Sequence, residues 1–204
     1  MPDFADGAHE SRLAKAALRV RLLAQRRSLS PPTRDAAAAA VHATLLSLVR
    51  RIRPSTIAAY VPVGAEPGGP DLPAVLAAEA RLLLPVLRPD SDLDWATFDG
   101  ALVAGPRGLL QPPGPRLGVD AVRDATLVVV PALAVDPSGR RLGRGGGSYD
   151  RVLARLSAGV LIVALLNDGE LLDAVPAEAH DRPVGAAITP SGGLTLSPGT
   201  EWTK

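Results

Sequence analysis

The sequence predicts an α/β fold: a three-layer sandwich with a largely parallel central sheet and helices on both faces. Three observations carry this. The apolar runs at 57–61, 82–87, 126–135 and 160–165 are nearly continuous rather than alternating, the pattern of strands buried on both sides. Segments with helical spacing or helix-start signals fall between most of them. Clusters of glycine and proline, 20 residues of each in 204, punctuate the joins.

The elements follow in order. Residues 1–8 are expected to be a flexible tail, and 9–204 a single domain. A first helix is expected from His9 to Ser28, with Leu13, Ala17, Val20 and Ala24 as its apolar stripe. Ser30-Pro31-Pro32 signals the next helix, a hydroxyl cap followed by proline in the first turn, running to about Arg51. A strand over Ile57–Val61 leads through a Gly/Pro loop at 64–70 to a short helix from about Leu72 to Ala80. Leu82–Leu87 is a second buried strand, and the weak alternation of Leu93–Phe98 suits an edge strand. Residues 104–118 read as loop. The run 126–135 is a buried strand, and Asp136-Pro137-Ser138-Gly139 has type I turn residues at all four positions. A helix over Tyr149–Leu156, a core strand at Val160–Leu165 and short strands at 186–189 and 194–196 complete the chain.

Composition excludes several function classes. The chain has no cysteine, so disulfides, thiolate metal sites and a cysteine nucleophile are out. A net charge of +1 argues against nucleic acid as a partner. Asp3, Asp6 and Glu10 give the N-terminus the wrong charge for a signal peptide, and the longest apolar runs are too short to span a bilayer. No membrane association and a cytoplasmic location are therefore expected.

The most informative segment is Asp136-Pro-Ser-Gly-Arg-Arg-Leu-Gly-Arg-Gly-Gly-Gly-Ser-Tyr-Asp-Arg151. A strand, a glycine-rich loop and a helix start make an anion site. Backbone N–H groups converge on phosphate oxygens because glycine has no Cβ in the way, and the helix start adds donors and a positive dipole end. Arg141 and Arg144 add charge in a fork suited to phosphate. Asp150 is a hard oxygen ligand for Mg²⁺ beside that phosphate. The loop lacks both the Gly-Lys-Ser/Thr end of a P-loop and the spacing of a dinucleotide fingerprint. A flexible surface loop with solvated arginines is the competing reading.

Other candidates lie elsewhere. Lys15 and Arg19, four apart, share a helix face; they are a solvated basic face, a nucleic-acid patch, or cations reaching the same phosphates. Glu66 follows the 57–61 strand, where ligands gather in open α/β sheets; it faces a substrate or is an exposed loop carboxylate. His180-Asp181 has no nucleophile motif with it, and His9 and His42 read as helix-surface residues.

Taken together, these residues resemble the 5-formyltetrahydrofolate cyclo-ligase family. The loop matches that family's motif at Asp136, Gly139, Arg141, Leu142, Gly143, Gly145, Gly147, Tyr149 and Asp150. Lys15-x-x-x-Arg19, Glu66, Gln111-Pro112 and His180-Asp181-x-Pro183 are similar in the same order. Three positions depart from the pattern: Ser148 replaces the first tyrosine of a pair, Pro67-Gly68-Gly69 follows Glu66, and Arg107 stands where an aromatic is common.

The resemblance implies ATP-dependent cyclisation of 5-formyltetrahydrofolate to 5,10-methenyltetrahydrofolate, with release of ADP and phosphate. It implies that Lys15, Arg19, Arg141, Leu142, Gly143, Arg144, Gly145, Gly146, Gly147, Ser148 and Tyr149 hold ATP. Val61 and Glu66 would touch the reduced folate, with Arg144 and Tyr149 acting catalytically between the two ligands. Asp150 and Asp181 would hold Mg²⁺. The expected partners are ATP and the reduced folate, in a monomer or weak dimer. The alternative is a nucleotide- or phosphate-binding protein of the same fold with lost or changed folate specificity.

Overall fold

Two long helices precede the sheet: α1 (Phe4–Ser28) and α2 (Pro31–Ile52). The structure, a computed structural model, describes residues 4–176 and 182–200, with side chains from Glu10 onward. The start of α1 at Phe4 takes in residues expected to be tail. Ser30 caps α2 as its sequence predicts, its hydroxyl accepting from the Thr33 N–H at 3.3 Å.

The strands are β1 (Thr56–Ala58), β2 (Arg81–Leu87), β3 (Leu93–Thr97), β6 (Leu127–Pro131), β9 (Leu161–Leu165), β10 (Ala186–Thr189) and β11 (Gly193–Leu196). They form one seven-stranded sheet in the order β11-β10-β9-β6-β1-β2-β3. The inner pairings are parallel, and only the edges, β3 and β11, run antiparallel. The expected edge strand near residue 93 is therefore an edge. Between β3 and β6, the expected loop folds into a small hairpin of β4 (Val103–Ala104) and β5 (Leu110–Gln111).

Alternate residues of each strand feed opposite cores, which is why the strands read as continuous apolar runs. Ile57, Leu82, Leu84, Leu127, Val129 and Val163 pack against α2 and against α3 (Leu72–Ala77). Ala58, Leu83, Val128, Val130, Ile162 and Trp95 pack against α4 (Ser148–Arg155) and the 3-10 turn at Val119–Asp124. That gives the expected helix–sheet–helix layering.

Two further sequence expectations fail, for related reasons. The run 126–135 is two strands. After β6, the chain leaves the sheet at Ala132, and β7 (Ala134–Val135) pairs with β8 (Arg141–Leu142) in a separate hairpin. The run stays apolar because Leu133, Ala134 and Leu142 bury a third cluster around Leu22 of α1. The Asp136–Gly139 turn is the tip of this hairpin, closed by the Gly139 N–H on the Asp136 carbonyl at 2.9 Å; it does not open the glycine loop, which follows β8.

The second failure concerns α1. Leu13 and Val20 of the expected stripe are 58% and 68% exposed. The helix instead buries Lys15, Leu22 and Arg26. This face meets polar partners as well as the hairpin, so hydropathy alone picks the wrong side.

Candidate functional site

β1 lies between β2 and β6, and the chain leaves β1 toward β2 but leaves β6 toward β9, in opposite directions. The crevice at the carboxyl ends of such strands is the standard ligand position in open α/β sheets. A cavity of about 440 Å³ opens there. Tyr60 and Val61, just past β1, and Pro131 and Ala132, at the end of β6, line its floor. Pro85, Leu87, Leu93, Leu109 and Leu110 make an apolar wall, and Gly143–Asp150 make the opposite one.

Glu66 reaches this cavity. Its carboxylate accepts from the Val63 N–H at 2.9 Å and pairs with Arg144 Nε at 3.0 Å. The Pro67-Gly68-Gly69 departure does not swing the loop away. Tyr60 Oη donates to the Pro67 carbonyl at 2.6 Å, and His42 Nε2 lies 2.6 Å from the Gly68 carbonyl. His42 is thus a loop anchor rather than an idle surface residue.

The glycine loop is held from three sides. Arg19 Nε donates to the Gly143 carbonyl at 2.9 Å. A Cβ at Gly145 would stand 3.3 Å from the Arg19 guanidinium carbon, and Gly145 has φ +95°. Gly147, with φ +70°, is the residue that turns the loop into α4. Ser148 Oγ and Arg151 Nη2 both donate to the Ser91 carbonyl, at 2.6 and 2.7 Å, fixing the first turn of α4 to the β2–β3 connection.

Not every sequence-predicted residue arrives in the cavity as expected. Leu142 is in the α1 cluster, so it positions the loop from behind. Lys15 is buried one turn before Arg19. Arg107 lines the cavity, has φ +59°, and donates to Ser91 Oγ at 3.2 Å. Arg141 and Asp150 meet each other, Nη2 to Oδ1 at 2.6 Å. Asp181 and the neighbouring His180 lie outside the described residues, as does His9 at the side-chain level.

Two buried polar atoms in this cavity have no hydrogen-bond partner among the described residues: Arg141 Nε and Tyr149 Oη. Leaving such a group unpaired costs roughly 1–3 kcal/mol; a bound ligand with polar atoms would remove that cost. Burial, followed by the nearby Glu66 charge, pushes the Tyr149 phenol pKa upward, so the group is a neutral O–H at any working pH.

Sequence reasoning missed Arg26 and Glu170, an ion pair at 2.6 Å with both side chains 4% exposed. The signal was present: Arg26 follows Lys15 and Arg19 at helical spacing, and all three mark the buried face. Among the described residues, no three acidic or histidine side chains gather into a metal cage, and no helix is long and apolar enough to cross a membrane.

The profile of the 5-formyltetrahydrofolate cyclo-ligase family matches residues 11–190. A 5-formyltetrahydrofolate cyclo-ligase of Mycolicibacterium smegmatis is 43% identical over 188 residues, covering 89% of this chain and 96% of the relative. The solution structure of Aquifex aeolicus 5,10-methenyltetrahydrofolate synthetase superposes with a TM-score of 0.78 at 26% identity, over 93% of this chain and 96% of that one. The Mycoplasma pneumoniae synthetase, at 19% identity, a TM-score of 0.69 and coverage of 85% and 96%, shares the fold. A profile match from residue 11 to residue 190, carried by a relative aligned over nearly its whole length, places this chain in the 5-formyltetrahydrofolate cyclo-ligase family.

Proposed function

We propose that this protein closes 5-formyltetrahydrofolate to 5,10-methenyltetrahydrofolate at the expense of ATP, in the cavity at the carboxyl ends of β1 and β6. One observation carries the assignment to this cavity: Glu66 and Arg144 meet at 3.0 Å, joining the loop after β1 to the glycine loop. The folate side and the phosphate side of the reaction then meet at this contact.

The phosphates of ATP lie on the glycine loop, against the backbone N–H groups of Gly145–Ser148 and the N-terminus of α4. Arg19, Arg141 and Arg144 supply cationic donors there, and Lys15 adds charge from the same helix. The folate lies along the apolar wall, its reacting end toward Glu66. The formyl oxygen attacks the γ-phosphorus and ADP leaves. N10 then attacks the activated carbon, N10 gives up its proton, and the former formyl oxygen departs within phosphate. Charge shifts during phosphoryl transfer, so placement and cations matter more than a general base. Arg144 follows that charge, and Tyr149 Oη donates as a neutral hydroxyl at the junction.

The residues suit Mg²⁺ carried in with ATP. Asp150 keeps one carboxylate oxygen outside its pair with Arg141, and its side chain is 43% exposed. Mg²⁺ in nucleotide sites uses one or two carboxylates plus phosphate oxygens and waters, so a preformed cage is not required; Asp181 would be the second carboxylate. When bound, Mg²⁺ would neutralise negative charge on the terminal phosphates.

The test is product stoichiometry. Protein, MgATP and 5-formyltetrahydrofolate should yield one ADP per methenyltetrahydrofolate, with neither formed if one substrate is omitted. ATP hydrolysis indifferent to the folate would favour the reading of a nucleotide-binding protein with changed specificity.

A further inference from the structure

A second ionic feature borders the same cavity and has no part in the chemistry above. Arg26 of α1 and Glu170, which follows β9, are buried together: Nε to Oε1 is 2.6 Å and Nη2 to Oε2 is 2.7 Å. Arg26 Nη2 also donates to the Ala132 carbonyl at 2.5 Å, at the point where the chain leaves β6. Glu170 is saturated, since it further accepts from the Asn167 N–H at 2.7 Å and from Asn167 Nδ2 at 3.3 Å. Nη1 of Arg26 makes no hydrogen bond among the described residues, yet Arg26 borders the cavity beside Tyr60 and Ala132.

A buried ion pair is weak evidence for stability, because apolar residues of similar volume often serve as well or better. Its value here lies in what it presents. Glu170 holds the guanidinium rigid and cancels its charge, leaving one N–H edge toward the cavity floor. A phosphate or carboxylate would call for a net positive charge, which Arg19 provides elsewhere, its Nε donating to the Gly143 carbonyl. A neutralised guanidinium matches a neutral acceptor, such as a carbonyl oxygen or ring nitrogen of a heterocycle.

We propose that Arg26, clamped by Glu170, is a specificity-determining residue that donates a hydrogen bond to a neutral acceptor on the pterin ring of the folate. This rests on the reading that the cavity takes a reduced folate. The pterin then reaches the floor between Tyr60 and Ala132, while the formyl group stays near Glu66 and Arg144.

The test replaces both partners together, Arg26→Met with Glu170→Met, which keeps volume and leaves no lone charge. A parallel Arg26→Lys variant keeps the charge opposite Glu170 but lacks the fork that clamps and donates at once. Each is assayed for melting temperature, for 5-formyltetrahydrofolate binding without ATP, and for KM of both substrates. A folded variant should lose folate affinity by on the order of tenfold, one lost hydrogen bond, with ATP KM within about twofold of the parent, as uniform loss of one ligand's contact requires. Unchanged folate affinity in a folded variant, or a rise confined to ATP KM, overturns the proposal. Should the double variant fail to fold, Arg26→Lys decides by the same two constants. If the unaltered protein fails to bind the folate, the functional reading falls and this inference falls with it.

Discussion

Glu66 and Arg144 pair at 3.0 Å, and each is the other's best probe. Arg144 is half exposed, and Glu66 is almost enclosed, so the carboxylate sets where the guanidinium waits. Arg144→Ala should lower kcat by roughly 10²–10³, the usual loss for one donor aimed at developing charge, with ATP affinity falling far less; an unchanged rate would take Arg144 out of the reaction. Glu66→Gln keeps the acceptor for the Val63 N–H but removes the charge. It should raise folate KM or cut turnover, at a cost of about 1–3 kcal/mol, while nucleotide affinity without folate stays near normal. Gly147→Val attacks the glycine loop itself: a β-branched residue at φ +70° is strained by about 1–3 kcal/mol and its side chain crowds the phosphate approach. Calorimetry should find no ATP binding in a protein that still melts cooperatively. The glycine loop and the helix start after it were legible in advance, because both patterns are local in sequence. The Glu66–Arg144 contact spans distant parts of the chain and could only be argued through strand ends, since no spacing rule encodes it.

Among the elements, α1 teaches the most. A helix can bury cations along with its apolar side chains, and here it buries Lys15, Leu22 and Arg26, with Arg19 on the loop. Leu22→Ala should therefore cost about 2–5 kcal/mol, whereas Val20→Ala on the exposed stripe should stay within about 0.5 kcal/mol. Chemical denaturation of both variants checks this; equal losses would restore the apolar stripe as the packed face. The sequence misled because hydropathy assumes that charge means solvent, and three cations on one face break that assumption. The run 126–135 misled similarly: strand and hairpin are both apolar, and only pairing partners separate them. A further element-level contact ties α4 to the sheet edge. Arg155 grips Asp92 through Nη1 at 2.9 Å and Nη2 at 2.6 Å, and that hydrogen bonding, opposed by burial, holds the Asp92 carboxyl below its ordinary value of 3.8. A lowered folded pKa contributes stability that is complete above the unfolded value and is lost as pH falls through the folded one. The contribution should thus be intact above about pH 4 and decline only as the pH falls further, and Asp92→Asn should flatten the acid limb of the stability curve; an identical acid limb in mutant and parent would assign that loss to other carboxylates.

Across the whole molecule, the sheet order decides where the chemistry can sit. Because β1 lies between β2 and β6, the loops after β1 and β6 diverge and leave one crevice, flanked by the hairpin that carries the glycine loop. The layered α/β class was readable from continuous apolar runs, but the strand order was not, because parallel neighbours are chosen by crossovers that leave no local mark. The cavity's two walls, apolar on one side and glycine-rich with arginines on the other, suit a ring system meeting a triphosphate. The central claim is that the two ligands react directly there, formyl oxygen to γ-phosphorus. The most direct test is to label the formyl oxygen of 5-formyltetrahydrofolate with a heavy isotope, run the reaction with MgATP, and weigh the released phosphate by mass spectrometry. The account predicts that each phosphate carries the formyl oxygen; unlabelled phosphate, released with its new oxygen drawn from water, would contradict it.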